Sequence, residues 1–291
     1  MASESRVGLI GLGTMGWPMA ANLVRAGAAV TVFDLDADRV SAFAEEHGCV
    51  GATRPSDFAD SSIVITMLPD GHVVADVVRN WEGGLLDVLP AGATILDMSS
   101  SSPQGTIELF EAAREHGIGV VDAPVSGGLP RATDGTLSIM VGADDEAFAK
   151  VEPTLRMLGK SIFRTGPVGS GHAMKALNNV IAATAYAAVA EAIEVGRSYS
   201  LDPKTLVDVV NESTGRSFTS EVVFGQHVVT GTYATGFALG LLTKDAGIAA
   251  DMASSAHVDA PVLQLVAKRW REALAGTEFA ADHSRAHTAW W

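Results

Sequence analysis

The pattern of apolar and polar positions changes character once along the chain. In the first half, short runs rich in Val, Ile and Leu alternate with amphipathic stretches. Val7–Ile10, Val30–Phe33, Ile63–Met67, Thr94–Leu96, Gly119–Val121 and Leu137–Val141 read as strands. Met15–Ala26, Asp36–His47, Pro103–His116 and Asp145–Leu158 read as helices. The run Ile63-Val-Ile-Thr-Met67 is continuously apolar, which suits a strand covered on both faces. Such alternation predicts a parallel, doubly wound α/β sheet of Rossmann type.

After about Gly166 the period becomes helical. Gly169–Ser198 predicts one long Ala-rich helix, followed by helices at Pro203–Glu212, Leu239–Ser255 and Pro261–Leu274, with no convincing strand. The long helix is apolar almost all round, so it should be buried against other helices, a second subunit, or both. The chain therefore reads as a Rossmann domain over residues 1–166 and an all-α substrate and oligomerisation domain over residues 167–291. They join near Gly166-Pro167, and a homodimer or homotetramer is expected.

Composition sharpens this picture. At 291 residues, 47% hydrophobic and 19% charged, the chain can build two substantial cores. A net charge of −14 argues against nucleic acid and anionic membrane, and means that an anionic ligand needs a local basic pocket. The one cysteine, Cys49, excludes an internal disulfide framework and a Cys-rich metal site. Histidines and carboxylates show no metal-ligand spacing, so no metal is expected. The polar start, Met1 to Arg6, lacks the apolar core of a signal peptide. The nearest approach to a membrane span, Val180–Val189, soon meets Glu191 and Glu194, short of the roughly 18 residues required. A soluble, cytoplasmic protein is expected. The terminal Ala289-Trp-Trp291 is either a docking element for a neighbour or a frayed tail.

Two constellations carry chemistry. The first runs from Val7 through Gly11, Leu12, Gly13, Thr14, Met15 and Gly16: a strand, a G-x-G-x-x-G turn and a helix. Gly11 permits the tight turn, Gly13 lets a pyrophosphate approach the backbone, and Gly16 allows close packing of helix on strand. The helix N-terminus offers N–H groups and the positive end of its dipole to phosphates. Asp34, eighteen residues past Gly16, ends the second strand, where a carboxylate hydrogen-bonds a ribose 2′-hydroxyl and repels a 2′-phosphate. NAD is favoured, with NADP left open because Arg39 stands near by.

The second constellation is Gly169-Ser-Gly171-His-Ala-Met-Lys175-Ala-Leu-Asn178-Asn179. Offsets of three and four share one helix face, so Lys175, Asn178 and Asn179 point together. A buried cation with carboxamides beside it is costly unless it has work to do. His172, early in this helix, is expected to cap it or to meet solvent.

With these segments side by side the chain resembles the β-hydroxyacid dehydrogenase family, nearest to the 3-hydroxyisobutyrate dehydrogenases, with tartronate semialdehyde reductases close by. The resemblance covers nearly the whole chain. It rests on Gly11-Leu-Gly-Thr-Met-Gly-Trp-Pro-Met-Ala-Ala-Asn22, Asp97-Met-Ser-Ser100, Asp122-Ala-Pro-Val-Ser-Gly-Gly128, the Gly169–Asn179 segment, Ser213-Thr-Gly-Arg216 and Lys244-Asp245. It implies that Lys175 is catalytic and that Ser126, Gly127 and Gly128 hold the substrate. It also implies that Met67, Leu68, Pro69 and Ser100 line the nicotinamide side of the cofactor, with Lys244 reaching the same region. The family often has threonine at the place of Ser100; the hydroxyl is kept. Imine reductases share the layout but resemble the chain less at Lys175.

Oxidising an alcohol with NAD removes a hydride from carbon and a proton from oxygen, and the protein must handle the proton. Lys175 is the candidate group. An unperturbed lysine, with a pKa of about 10.4, is a reluctant participant at neutral pH. Burial and a second cation, for which Lys244 is the candidate, would lower it. Asn179 can orient the ammonium or bind the substrate hydroxyl, and Asn178 joins it at the substrate. Ser126-Gly127-Gly128 supplies a hydroxyl and unobstructed backbone N–H groups for a carboxylate. Arg216 can pair with a substrate carboxylate or make a structural contact; Asp245 can orient Lys244 or simply pair with it. Asp282-His283-Ser284 matches a triad in residue type alone and is discounted. The expected activity is oxidation of a short, 3-hydroxyisobutyrate-like β-hydroxy acid to its semialdehyde. Reduction of tartronate or succinate semialdehyde is the enzymatic alternative, and an NAD-binding sensor or scaffold the non-enzymatic one.

Overall fold

The uniformly apolar runs of the first half assemble as the interior of one sheet in the computed structural model, which describes residues 6–290. Strands and helices follow as β1 (Arg6–Ile10), α1 (Gly16–Arg25), β2 (Ala29–Phe33), α2 (Ala37–His47) and β3 (Val50–Gly51). Next come β4 (Ile63–Thr66), α3 (Gly71–Arg79), β5 (Thr94–Asp97), α4 (Pro103–Glu115) and β6 (Gly119–Asp122). The sheet region ends with β7 (Val125–Ser126), α5 (Gly128–Thr133), β8 (Leu137–Gly142), α6 (Asp145–Leu158) and β9 (Gly159–Gly166). The spatial order is β3-β2-β1-β4-β5-β6-β8-β7, with β9 also paired to β8.

The first six strands of that order are parallel, in the doubly wound arrangement whose direction of winding reverses between β1 and β4. Ligands bind such sheets at the carboxyl ends beside that reversal, where the Gly11 turn lies. The expectation of a wholly parallel sheet needs correction, since β8 runs antiparallel to β6 and β7. Only residues 127–136 separate β7 from β8, too little chain for a full helical crossover. The sequence reading also omits α3 and β9.

Successive side chains leave opposite faces of a strand, and both faces are covered. Val7, Leu9, Ile63, Ile65, Leu96 and Val121 join one buried cluster with Met19 and Leu23 of α1. Ile10, Val64, Ile95 and Val120 join another with Val74 and Val78 of α3 and Leu109 of α4. At the first turn, Gly11 has φ +102°, and a Cβ there would lie 2.3 Å from the Met67 carbonyl oxygen. A Cβ on Gly16 would lie 1.7 Å from the Gly11 carbonyl oxygen, so neither position tolerates a side chain.

The second half holds α7 (Ser170–Ser198), α8 (Pro203–Asn211), a π-helical segment (Thr219–Val228), α9 (Leu239–Ser255), α10 (Pro261–Ala275) and a 3₁₀ segment (His283–Ala289). The π-helical segment has no counterpart in the sequence reading. The chain divides into two compact units between Lys175 and Ala176, inside α7. The first turn of α7 belongs with the sheet because Asp122 accepts hydrogen bonds from the Gly169 and His172 N–H groups at 2.7 and 2.8 Å.

By length and composition alone α7 would pass for a membrane-crossing helix. Its residues from Ala176 on instead build the core of the second unit, where Val180, Ala183, Tyr186, Ala190 and Ile193 cluster with Leu242, Ala246, Ala249, Val266 and Trp270. The Tyr186 hydroxyl donates to the Ser284 carbonyl at 2.7 Å and meets His287 Nδ1 at 2.8 Å. Trp290 is not a frayed aromatic: it is buried, its Nε1 donates to the Arg269 carbonyl at 3.0 Å, and the Arg269 guanidinium lies 5.0 Å from its ring. Trp291 lies outside the described residues. Asp282 accepts from the Gly236 and Ser284 N–H groups at 2.8 and 3.0 Å, so it clips the tail down.

Burial pushes the His283 and His287 imidazoles below the ordinary histidine range, in each case mainly through desolvation. Both are therefore favoured as neutral groups in the fold, while the unfolded chain protonates near pH 6.5. The unfolded state then binds more protons, and stability is lost as pH falls through that value towards the lower folded pKa values. The melting temperature should drop between about pH 7 and 5. His283→Asn should make that drop shallower, which a pH series of melting curves on both proteins would read. Identical slopes would assign the acid sensitivity to other groups.

Candidate active site

Four α-helices of the first unit start at a side chain that accepts a first-turn N–H. Asp36 caps α2, Asp70 caps α3, Ser102 caps α4 and Asp144 caps α6. No side chain caps α1 at Met15. Its first-turn N–H groups face the Gly11–Gly16 turn, where Gly13 and Thr14 are exposed. A Cβ on Gly13 would meet no atom within 4 Å. An uncapped helix start behind an open glycine turn fits the pyrophosphate of a dinucleotide.

Asp34 closes this turn from the side. Its Oδ2 accepts from the Leu12 N–H at 2.7 Å, and its Oδ1 accepts from the Asp36 N–H at 3.0 Å. The Arg39 guanidinium reaches Asp34 at 3.4 Å and Asp36 at 3.3 Å. The carboxylate thus has a structural duty that the sequence does not disclose.

Beyond β4 and β5, Met67, Leu68, Pro69 and Ser100 come together through one buried carboxylate. Asp97 accepts from Thr66 Oγ1 at 2.9 Å, from the Ser99 N–H at 3.0 Å and from Ser101 Oγ at 2.8 Å. Both neighbours of Ser100 are held in this way. Ser99 Oγ then accepts from the Leu68 N–H at 3.0 Å, and the Met67 N–H donates to the Ile10 carbonyl at 2.9 Å. The Gly11 turn and these two loops therefore form one edge of the sheet.

Ser126 ends β7, opposite Ser138, and the exposed Gly127 and Gly128 follow with positive φ into α5. The next strand end, Asp122, is fully buried and holds the start of α7 as described. Burial pushes the Asp122 carboxyl up from the usual range, opposed by the neighbouring His172 imidazole and the two N–H donors. His172 neither caps the helix with its side chain nor meets solvent. It is 1% exposed, with Nδ1 2.7 Å from Thr106 Oγ1 and Nε2 3.7 Å from Asp97 Oδ2. Lys175, one turn on, is half-buried.

The remaining candidates belong to the second unit. The Asn179 carboxamide donates from Nδ2 to Asp245 Oδ2 at 2.6 Å and accepts from Asn178 Nδ2 at 3.1 Å. Asp245 is 1% exposed, and Lys244 Nζ lies 3.4 Å from its Oδ1. Asp245 therefore both pairs with Lys244 and fixes which way the Asn179 amide faces. Arg216 is engaged by Glu221 through three nitrogen–oxygen contacts of 2.8 to 3.1 Å, the structural alternative for that residue. Among the described residues no group of three or more His, Cys, Asp or Glu side chains is placed to hold a metal.

Sequence reasoning anticipated the pairing of Asp245 with Lys244 but missed its hold on Asn179 and the roles of Asp97, Asp122 and His172. The available signal was an acidic residue closing each of two otherwise uncharged strands, at Asp97 and Asp122, which burial makes costly without partners.

Two family models cover the chain. The NAD binding domain of 6-phosphogluconate dehydrogenase matches residues 6–166, and the NAD-binding region of NADP-dependent 3-hydroxyisobutyrate dehydrogenase matches residues 169–290. The 2-(hydroxymethyl)glutarate dehydrogenase of Eubacterium barkeri is 39% identical over 262 residues, 90% of this chain and 87% of the relative. The NAD-dependent L-serine dehydrogenase of Pseudomonas aeruginosa is 33% identical over 272 residues, 91% of each chain. The structure of Mycobacterium tuberculosis 3-hydroxyisobutyrate dehydrogenase with L-serine superposes with a TM-score of 0.89 at 30% identity, covering 99% of both chains. With both halves matched and relatives aligned over most of their lengths, the chain belongs to the β-hydroxyacid dehydrogenase family, alongside the 3-hydroxyisobutyrate dehydrogenases, and is an NAD(P)-dependent oxidoreductase.

Proposed function

We propose that the protein oxidises a 3-hydroxyisobutyrate-like acid, HOCH₂–CHR–COO⁻, to its semialdehyde, with NAD as the preferred cofactor and Lys175 as the proton acceptor. The observation that carries the substrate class is chemical. The acids named for its relatives, 3-hydroxyisobutyrate, L-serine and 2-(hydroxymethyl)glutarate, all contain that unit and differ only in R. The invariant primary alcohol and carboxylate need one proton-transfer group and one anion site.

The bound dinucleotide supplies the hydride acceptor. The residues of the chain then divide the remaining work. The Gly11–Gly16 turn and the start of α1 bind phosphate, Asp34 accepts from the ribose hydroxyl, and Met67, Leu68, Pro69 and Ser100 confine the nicotinamide. Ser126, Gly127 and Gly128 hold the substrate carboxylate. Lys175 takes the hydroxyl proton in oxidation and returns it to the carbonyl oxygen in reduction. Asn179, with its amide direction set by Asp245, and Asn178 orient the substrate; Lys244 adds positive charge near the cofactor. The polar anchoring of α7 at Asp122 supports Lys175 in this role, since a proton carrier must be held in place.

A second subunit fits the exposed side of α7. Leu177, Ile181, Ala188, Ala192 and Val195 recur there at helical spacing, with Ile181 67% and Val195 61% exposed. An apolar stripe of this kind is suited to a homodimer or homotetramer. A chain with one cysteine suits the reducing cytoplasm, where we place it.

Three outcomes test these assignments. NADH formation should follow addition of the protein to NAD and 3-hydroxyisobutyrate, serine or 2-(hydroxymethyl)glutarate, and Lys175→Ala should lower kcat by about 10²–10⁴ while NAD binding persists. Silence across the panel with either cofactor would sink the dehydrogenase assignment, and full turnover by Lys175→Ala would remove Lys175 from it. Asp34→Ala should shift the ratio of NADP to NAD use towards NADP by roughly tenfold. Kinetics with both cofactors read this ratio independently of the looser turn that the substitution also causes. Finally, Ile181→Glu should move the protein to a smaller species in light scattering; no change of mass would take the stripe out of the interface.

A further inference from the structure

The helix carrying Lys175 is fixed at its start by two different kinds of anchor. The first lies on the backbone. Asp122 binds the Gly169 and His172 N–H groups, and a Cβ on Gly171 would sit 2.4 Å from the Met140 carbonyl oxygen, so the turn presses directly on the strands. An anchor at the end of the helix axis sets where the helix begins. It leaves rotation about that axis poorly determined.

The second anchor lies off the axis, in the His172 side chain. Thr106 Oγ1 donates its one hydrogen to the Ser102 carbonyl at 3.0 Å, so towards His172 Nδ1, at 2.7 Å, it acts as the acceptor. This places the hydrogen on Nδ1 and ties the imidazole to α4. The other nitrogen, Nε2, is buried without a hydrogen-bond partner and faces Asp97 Oδ2 at 3.7 Å, while Asp122 Oδ2 stands 3.9 Å from Nδ1. One side chain thus touches α4 and the ends of β5 and β6. Asp97, which it meets, is also the carboxylate that holds both neighbours of Ser100.

We propose that His172 is the positioning residue for Lys175: its clamped imidazole fixes the rotation of the first turns of α7 and so the place of the Lys175 ammonium. This rests on Lys175 being the proton-transfer group. His172 and Lys175 are three residues apart and lie on neighbouring sides of the helix. A side-chain tip about 6 Å from a helix axis moves about 1 Å for each 10° of rotation. Displacement of a reacting group by 1 Å costs on the order of a hundredfold in rate. Small rotational freedom at this turn is therefore enough to disable the lysine without unfolding anything.

The test uses the whole enzyme and four variants: His172→Leu, His172→Asn, Thr106→Val and Lys175→Ala, with the His172→Leu/Lys175→Ala double variant beside them. His172→Leu should lower kcat about a hundredfold while the KM for NAD stays unchanged. His172→Asn, which restores an N–H near the Nδ1 position, should recover most of the rate. Thr106→Val removes the same link from the other side at equal volume, and should lower kcat in the same direction even if His172→Leu folds poorly. In the Lys175→Ala background, His172→Leu should leave the residual rate unchanged. Wild-type kcat in both His172→Leu and Thr106→Val would overturn the positioning role, as would an equal His172→Leu loss with and without Lys175. Full turnover by Lys175→Ala alone would instead overturn the underlying assignment of the lysine.

Discussion

Two carboxylates buried side by side are the constraint on which the working edge of the sheet depends. Asp97 and Asp122 are register partners at the carboxyl ends of β5 and β6, 2% and 0% exposed. Stranding a buried charge without its partners costs on the order of 3–5 kcal/mol, a large part of the roughly 5–15 kcal/mol that keeps a domain folded. Each carboxylate therefore commands its surroundings. Asp97 gathers Thr66, Ser99 and Ser101; Asp122 gathers the first N–H groups of α7, where the positive end of the helix dipole offsets its charge. The loops that carry Leu68 and Ser100 and the start of the Lys175 helix are shaped by the same electrostatic requirement.

Much of the fold was legible because its signals are local. The glycine turn needs no partner beyond its own strand and helix, and the apolar runs of β1, β4, β5 and β6 announce strands buried on both faces. The Ala-rich pattern of α7 likewise runs unbroken from Ser170 to Ser198. The antiparallel β8 was not legible, because strand direction depends on how far the connecting chain can travel. Nor was the π-helical segment at Thr219–Val228, whose residues carry no period that separates it from an ordinary helix.

The site was legible as a set of residue types and much less as a set of partnerships. Lys175, Asn178 and Asn179 stand out by helical spacing. That Asn179 is turned by Asp245 requires knowing that positions 66 residues apart meet. His172 shows the limit most clearly. A histidine near a helix start is ordinarily wet, and only the approach of α4, β5 and β6 makes this one dry. Trp290 follows the same logic, since a terminal aromatic looks expendable until Trp270, Tyr186 and Arg269 are seen around it.

The double duty of Asp34 has a consequence for how this protein can diverge. The carboxylate that would exclude a 2′-phosphate also accepts the Leu12 N–H, which shapes the glycine turn. A lineage moving to the phosphorylated cofactor cannot simply discard the acid, because the first step loosens the turn for both dinucleotides. It must first acquire another acceptor for that N–H, or retain a shorter polar side chain able to reach it. A change at Asp34 should therefore come paired with a second change that takes over the Leu12 N–H.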